Sequence, residues 1–167
     1  MVGPAGRVSV YGRVSSRFTS AADVVLAVRM VAWAAVLPLL KAVVPVQSLA
    51  RLMHRPARPA PRDPVREERI VTFARWAARL IRWDSGGNCL ERGLLAYRYL
   101  GEAGATPVLV VGLDRADGEL IGHAWVLVDG QPAGESRAAL ERYTPVFAFT
   151  PEGRLTDVPP ADASPCP

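Results

Sequence analysis

The chain has 167 residues and a mass of 18.0 kDa, the size of one domain with appendages. Half of its residues are hydrophobic and 22% are charged, which excludes wholesale disorder. The net charge of +4 hides a split: residues 1–82 carry 14 basic and 4 acidic side chains, +10, and residues 83–167 carry 6 and 12, −6, which points to two jobs in one chain. Lys41 is the only lysine, and the excess of Arg, Ala and Pro has the look of a GC-rich coding bias.

The two cysteines, Cys89 and Cys166, exclude a disulfide-dense secreted scaffold. There is no CxxC pair, and His54 and His123 stand far apart, so neither a metal nor another cofactor is expected. Gly3, Pro4, Gly6 and three arginines precede any long apolar run, so the N-terminus does not read as a secretory signal peptide. A cytoplasmic location is expected, with membrane association as the open alternative.

In chain order, residues 1–20 read as a polar, basic arm with a short strand around Val8–Tyr11. Residues 22–53 are the most apolar stretch, with Met30–Leu40 uninterrupted. A membrane span needs about 20 apolar residues. This stretch reaches that length only by including Arg29, Lys41, Pro38 and Pro45. Pro38 lacks an N–H and is expected to end a helix, giving helices over 21–37 and 39–53. They are expected to pack on the rest of the chain; peripheral contact with a membrane surface is the sharper alternative. Residues 54–64 hold four prolines and read as a linker with His54 solvated at its edge.

Residues 64–82 read as a helix, with Pro64 at its first position, Asp63 as N-cap and an apolar stripe of Ile70, Phe73, Ala77, Leu80 and Ile81. Trp83–Asn88 is a tight connection, and a helix follows from Cys89 to Leu100. Strands are expected at Pro107–Leu113 and Leu120–Val128, with Asp129–Gly130 as the hairpin signal. A weaker strand over Gln131–Arg137, a helical turn at Ala138–Tyr143 and a strand at Val146–Phe149 follow. Residues 151–167 read as a loose Pro-rich tail holding Cys166. The fold class is α+β in three parts: a basic helical region with its linker (1–63), a core (64–150) and the tail.

The chemistry concentrates on Cys89 and His123. Asn88-x-x-Glu91 is an N-cap pattern that puts Cys89 at the first helical position. There the partial positive charge of the helix end favours the thiolate, the nucleophilic form. A lone cysteine is otherwise a small buried hydrophobe. His123 lies in an apolar strand between two small residues, Gly122 and Ala124, and a nucleophilic Cys with a His base is the pattern of thiol hydrolases.

A third residue should orient the imidazole. A three-residue loop, Val128–Asp129–Gly130, pairs Leu127 with Gln131 and sets His123 opposite Glu135. A two-residue loop sets His123 opposite Ser136 and turns Glu135 to the wrong face. The first register is expected, with Glu135 as the acid. Asp129, six residues from His123, is a turn residue and the alternative acid.

The segment C-L-E-R-G from Cys89, followed by G-H-A-W-V-L-V-D-G around His123, resembles the transglutaminase-like leader peptidases of lasso peptide biosynthesis, in their discrete B2-type form. Cys89, Leu90, Arg92, His123, Ala124, Trp125, Val126 and Gly130 match the family pattern, and Glu135 falls at its acidic position; the likeness covers roughly 66–137. Gly93 stands where the family usually has Ser, and Glu135 where Asp is commoner.

The resemblance implies a transglutaminase- and papain-like cysteine protease core, with the Cys helix packed on a small antiparallel sheet behind N-terminal helices. It implies removal of the leader from a ribosomally made precursor peptide. Its partners would be a leader-recognition protein and an ATP-dependent cyclase. Cys89 would be nucleophile, His123 base and Glu135 orienting acid. Backbone N–H groups, with Asn88 as a further donor, would hold the oxyanion. Trp125 is expected to fill the core or shield the pair and Arg92 to pair with an acid, and both are candidates to line the substrate pocket. Two competing readings share these residues: acyl transfer to an amine, and a non-enzymatic Arg-rich binder of nucleic acid or membrane. The second lacks aromatic interleaving and any known motif, so no nucleic acid is expected.

Overall fold

The computed structural model describes residues 20–56, 61–81, 88–116 and 118–157. The expected strand at Val8–Tyr11, the connection over 83–87 and Cys166 lie outside the described residues. Four helices come first: α1 (Ala21–Val43), α2 (Val46–Met53), α3 (Pro64–Leu80) and α4 (Cys89–Glu102). Then come β1 (Pro107–Ala116), β2 (Glu119–Val128), β3 (Gln131–Pro132), the single turn α5 (Arg137–Leu140), β4 (Thr144–Phe149) and β5 (Leu155–Thr156). They form one antiparallel sheet in the order β3-β2-β1-β4-β5, which makes the molecule α+β as expected.

Local signals explain most boundaries. Ser20 caps α1 in a reciprocal box with Asp23, each side chain bonding the other's backbone N–H. Asp63 Oδ1 accepts from the N–H groups of Val65 and Arg66, so α3 starts at Pro64 as expected. Gly104, at φ 90°, follows α4.

The expected helix break at Pro38 does not occur: α1 runs through it to Val43. Interior proline costs about 3 kcal/mol in isolation. Here tertiary anchors hold the turns on both sides of it. Ala34 and Leu37 are buried, and Lys41 Nζ lies 2.6 Å from Glu91 Oε1 on α4. The break falls instead at Val44, which is extended (φ −117°, ψ 127°) because Pro45 follows it.

Ala27, Met30, Ala34 and Leu37 of α1 and Leu49, Ala50 and Met53 of α2 enter one core with α3, α4 and the inner face of the sheet. Arg98, buried on α4, stacks over Trp33 of α1 at 4.9 Å and bonds the carbonyl of Leu52 on α2. Arg29–Glu102, Lys41–Glu91 and Arg62–Asp129 join the basic half of the chain to the acidic half. By length and composition α1 could cross a membrane, but its inner face belongs to this core.

The start of the expected tail is ordered. Residues 155–156 pair with β4, and Tyr97 donates to the carbonyl of Thr150. His54, expected in solvent, is half-buried against Gly153.

The hairpin takes the register that was not expected. Val128 pairs with Gln131 and Leu127 with Pro132, a two-residue loop. Asp129 (φ 52°) and Gly130 (φ 72°) both have positive φ, as a type I′ turn requires. The expected third strand over Gln131–Arg137 shrinks to two residues. Pro132 can offer the ladder no N–H, and pairing ends after the bond from Ala133 N–H to the Val126 carbonyl.

Candidate active site

Helix α4 lies directly against the sheet, and small residues make that approach possible. A Cβ on Gly93 would stand 3.0 Å from Leu109 Cδ1 and 3.7 Å from the Ala124 Cβ. A serine at this position would press on Leu109, which accounts for the glycine.

This seating carries Cys89, the first residue of α4, to β2. Its Sγ donates to the Gly122 carbonyl at 3.9 Å and lies close enough to the His123 ring to interact with it. His123 sits at the free edge of β2, because β3 pairs only with Leu127 and Val128. Its Nε2 is 2.9 Å from Glu135 Oε2, which leaves Nδ1 for the sulfur.

Glu135 arrives by a route that strand parity does not describe. Gly134 has φ 82°, and a side chain there would overlap Val71 Cγ1 of α3. The left-handed residue ends the alternation and redirects Glu135 toward His123. Arg75 of α3 donates to the Gly134 carbonyl and pins the bend. Arg92, three residues after Cys89, donates to Glu135 Oε1 at 2.6 Å. The carboxylate thus bridges Arg92 and His123 with one oxygen each.

The electrostatics follow. Burial alone pushes the Cys89 thiol up, but the His123 hydrogen bond, the Ala124 backbone N–H and the charges of His123 and Arg92 bring it below its ordinary value. His123 is raised to about 9, first by its bond with Cys89 and then by Glu135, against burial. Burial also pushes Glu135 up, and its bond to His123 and the charge of Arg92 hold it below the usual carboxylate range. The two shifts agree in direction: each favours a thiolate beside an imidazolium, and the two groups titrate as a pair.

Two aromatic rings, in contact with each other, pack against the imidazole. Tyr143, just before β4, stacks on His123 at 4.6 Å with planes 17° apart. Trp125 stacks at 6.1 Å and is buried in a second small core with Val110 and Leu140. Gly112 of β1 lies opposite His123, and a Cβ there would meet the Trp125 ring at 2.8 Å. Sequence reading singled out neither Tyr143, Gly112 nor Gly134. An aromatic at the end of a helical turn gives no local sign that it covers a histidine twenty residues earlier.

Two other candidates are placed differently. Asn88 precedes α4 but makes no capping bond; its Nδ2 donates to the Ala78 carbonyl at 2.8 Å, tying α3 to the start of α4. Its supposed box partner, Glu91, turns to Lys41. Asp129 lies in the exposed turn, paired with Arg62. It lines a cavity of about 500 Å³ between α3 and the hairpin that includes neither Cys89 nor His123.

No curated protein and no solved structure matches the chain. The transglutaminase-like superfamily domain matches residues 24–148, from the second turn of α1 into β4. With three quarters of its length matched, a Cys helix on a small antiparallel sheet and N-terminal helices in front, this chain belongs to the transglutaminase-like superfamily, which includes cysteine peptidases and acyltransferases.

Proposed function

We propose that the protein is a cysteine peptidase that removes the leader from a ribosomally synthesised lasso precursor peptide. It would act beside a leader-recognition protein and a cyclase. The observation that carries the chemical part is the aligned chain Cys89–His123–Glu135, with a lowered thiol and a raised imidazole. The motif around Cys89 and His123 carries the choice of substrate.

In this mechanism the Cys89 thiolate attacks the carbonyl carbon of the last leader residue, and the carbonyl electron pair moves to oxygen. N–H groups in the first turn of α4 have no intrahelical acceptor and receive the oxyanion. Imidazolium His123 gives its proton to the departing core amine as the C–N bond breaks, leaving a thioester. Neutral His123 then takes a proton from water, which attacks the thioester. The leader acid leaves and the thiolate–imidazolium pair returns. Glu135, clamped by Arg92, holds the ring so that Nδ1 faces sulfur through both steps.

The test is incubation of the protein with the precursor encoded beside it and the recognition protein, read by mass spectrometry. The peptidase reading expects two fragments whose masses sum to the precursor plus one water. Cys89→Ala and His123→Ala should abolish them. Release of leader by either variant at the wild-type rate would sink the reading. Loss of ammonia with a new amide would identify acyl transfer instead.

A further inference from the structure

Helix α1 is apolar on nearly every side, yet the core covers only one of them. Val25, Val28, Ala32, Val36, Leu39 and Val43 recur at three- and four-residue spacing and so share one stripe. All six are exposed, Val28 63%, Leu39 64% and Val43 80%. A continuous apolar face of this length, roughly 30 Å at 1.5 Å per residue, marks a surface built to be covered.

The charge around it indicates the cover. Residues 1–19, which lead into α1, hold Arg7, Arg13 and Arg17 and no acid. From residue 1 to 56 there are seven basic side chains and one acidic, Asp23, which is buried beside Arg69; of the seven, Arg29, Lys41 and Arg55 pair with Glu102 or Glu91. Protein interfaces gather aromatic anchors, with Trp and Tyr foremost. This stripe holds only Val, Leu and Ala, without an aromatic ring, hydroxyl or amide. Featureless aliphatic side chains preceded in sequence by arginines suit hydrocarbon beneath phosphate headgroups.

We propose that the exposed stripe of α1 docks the protein in the plane of an anionic membrane surface, with the basic N-terminal residues on the headgroups. The helix lies along the bilayer and does not cross it, because Ala27, Met30, Ala34 and Leu37 remain packed on α3 and α4. This rests on the surface alone and is independent of what Cys89 cleaves.

The experiment is co-sedimentation of the full chain with vesicles of phosphatidylcholine alone and of phosphatidylcholine with one quarter phosphatidylglycerol. The protein should sediment with the anionic vesicles and be largely released by 0.5 M salt (about a 4 Å Debye length). Val28→Glu combined with Leu39→Glu should lower the partition at least tenfold, with an unchanged circular dichroism melt. Arg7→Ala, Arg13→Ala and Arg17→Ala together change only residues that precede α1 in the sequence. They should reduce binding at low salt by roughly fivefold per arginine that meets the surface.

Failure to sediment with anionic vesicles, or equal binding to both compositions, overturns the proposal. So does a dimer in solution that the two glutamates dissociate, since a second copy would then be the cover. Retention in the pellet after carbonate extraction at pH 11 would show a spanning helix and overturn the in-plane geometry.

Discussion

Replacing Gly134 by alanine tests how the acidic residue reaches the imidazole. At φ 82° a non-glycine residue is in the left-handed region, costing about 1–2 kcal/mol. The new methyl would also overlap Val71 Cγ1 and approach Arg75 Nη2 to 3.3 Å. Overpacking of this kind costs about 1–3 kcal/mol, so Gly134→Ala should lose about 2–5 kcal/mol in urea unfolding. Because the bend positions Glu135, the loss should reach the thiol. Iodoacetamide alkylation of Cys89 at pH 6, which reads thiolate, should slow several-fold in the folded variant. Val71→Ala in the same chain removes the overlap and should return only the steric part. A residual deficit of about 1–2 kcal/mol relative to Val71→Ala alone should remain from the backbone. Gly134→Ala with wild-type stability and alkylation would refute the assignment of the bend to this residue.

Glu135→Gln removes a hydrogen bond to a charged ring, worth about 1.5–3 kcal/mol, so the alkaline limb of the Cys89 alkylation profile should fall by roughly one to two pH units. Asp129→Asn, in an exposed type I′ turn that tolerates Asn, should leave that profile in place; the reverse ranking would reassign the acid. Tyr143→Leu should lower the His123 midpoint, read by imidazole NMR titration, by about 0.4–0.7 unit, since it removes a ring worth about 0.5–1 kcal/mol to a cation. Tyr143→Phe should behave as wild type, and a shift equal to that of Leu would show that the hydroxyl and not the ring matters. Stability should also follow pH. His123 is raised from 6.5 to about 9, so its contribution is complete below about 6.5 and lost as pH rises through about 9. Glu135 is lowered, so its contribution is present above 4.5 and lost as pH falls below that value. Cys89 is lowered from 9.0, so its contribution grows as pH rises toward that value and opposes the His123 loss. The His123 change is therefore read by imidazole NMR titration, where a midpoint near the ordinary 6.5 would contradict the raised imidazole.

Elements with strong internal signals are readable before any coordinates. Asp63 and Pro64 announce α3, and the change from helical to continuous apolar patterning announces the sheet. Cys89 and His123 stand out because each violates the pattern around it. The hairpin register is harder, since Asp129–Gly130 suits either loop and one residue flips every face. The two-residue register is the one present, and its parity argument would have discarded Glu135. That argument fails because it extends a ladder that ends after Pro132 and ignores Gly134, whose need for glycine lies in Val71, 63 residues away. Pro38 and Asn88 mislead for the same reason: a local preference is overridden by a partner distant in sequence, Glu91 on α4 for the turn after Pro38 and Ala78 for Asn88.

The Lys41–Glu91 contact has a practical side. Lys41 is the only lysine, so its Nζ is the single side-chain amine in the protein. It stands at the seam between the apolar helix and the helix that Cys89 opens. An amine-reactive dye or spin label would therefore mark one internal position, a built-in reporter of whether α1 and α4 stay together. Acylation of that amine also strips the buried Glu91 carboxylate of its cation. Because the amine is 42% exposed, the label attaches with the helices packed, and its environment then reports whether the seam holds, without a single engineered substitution.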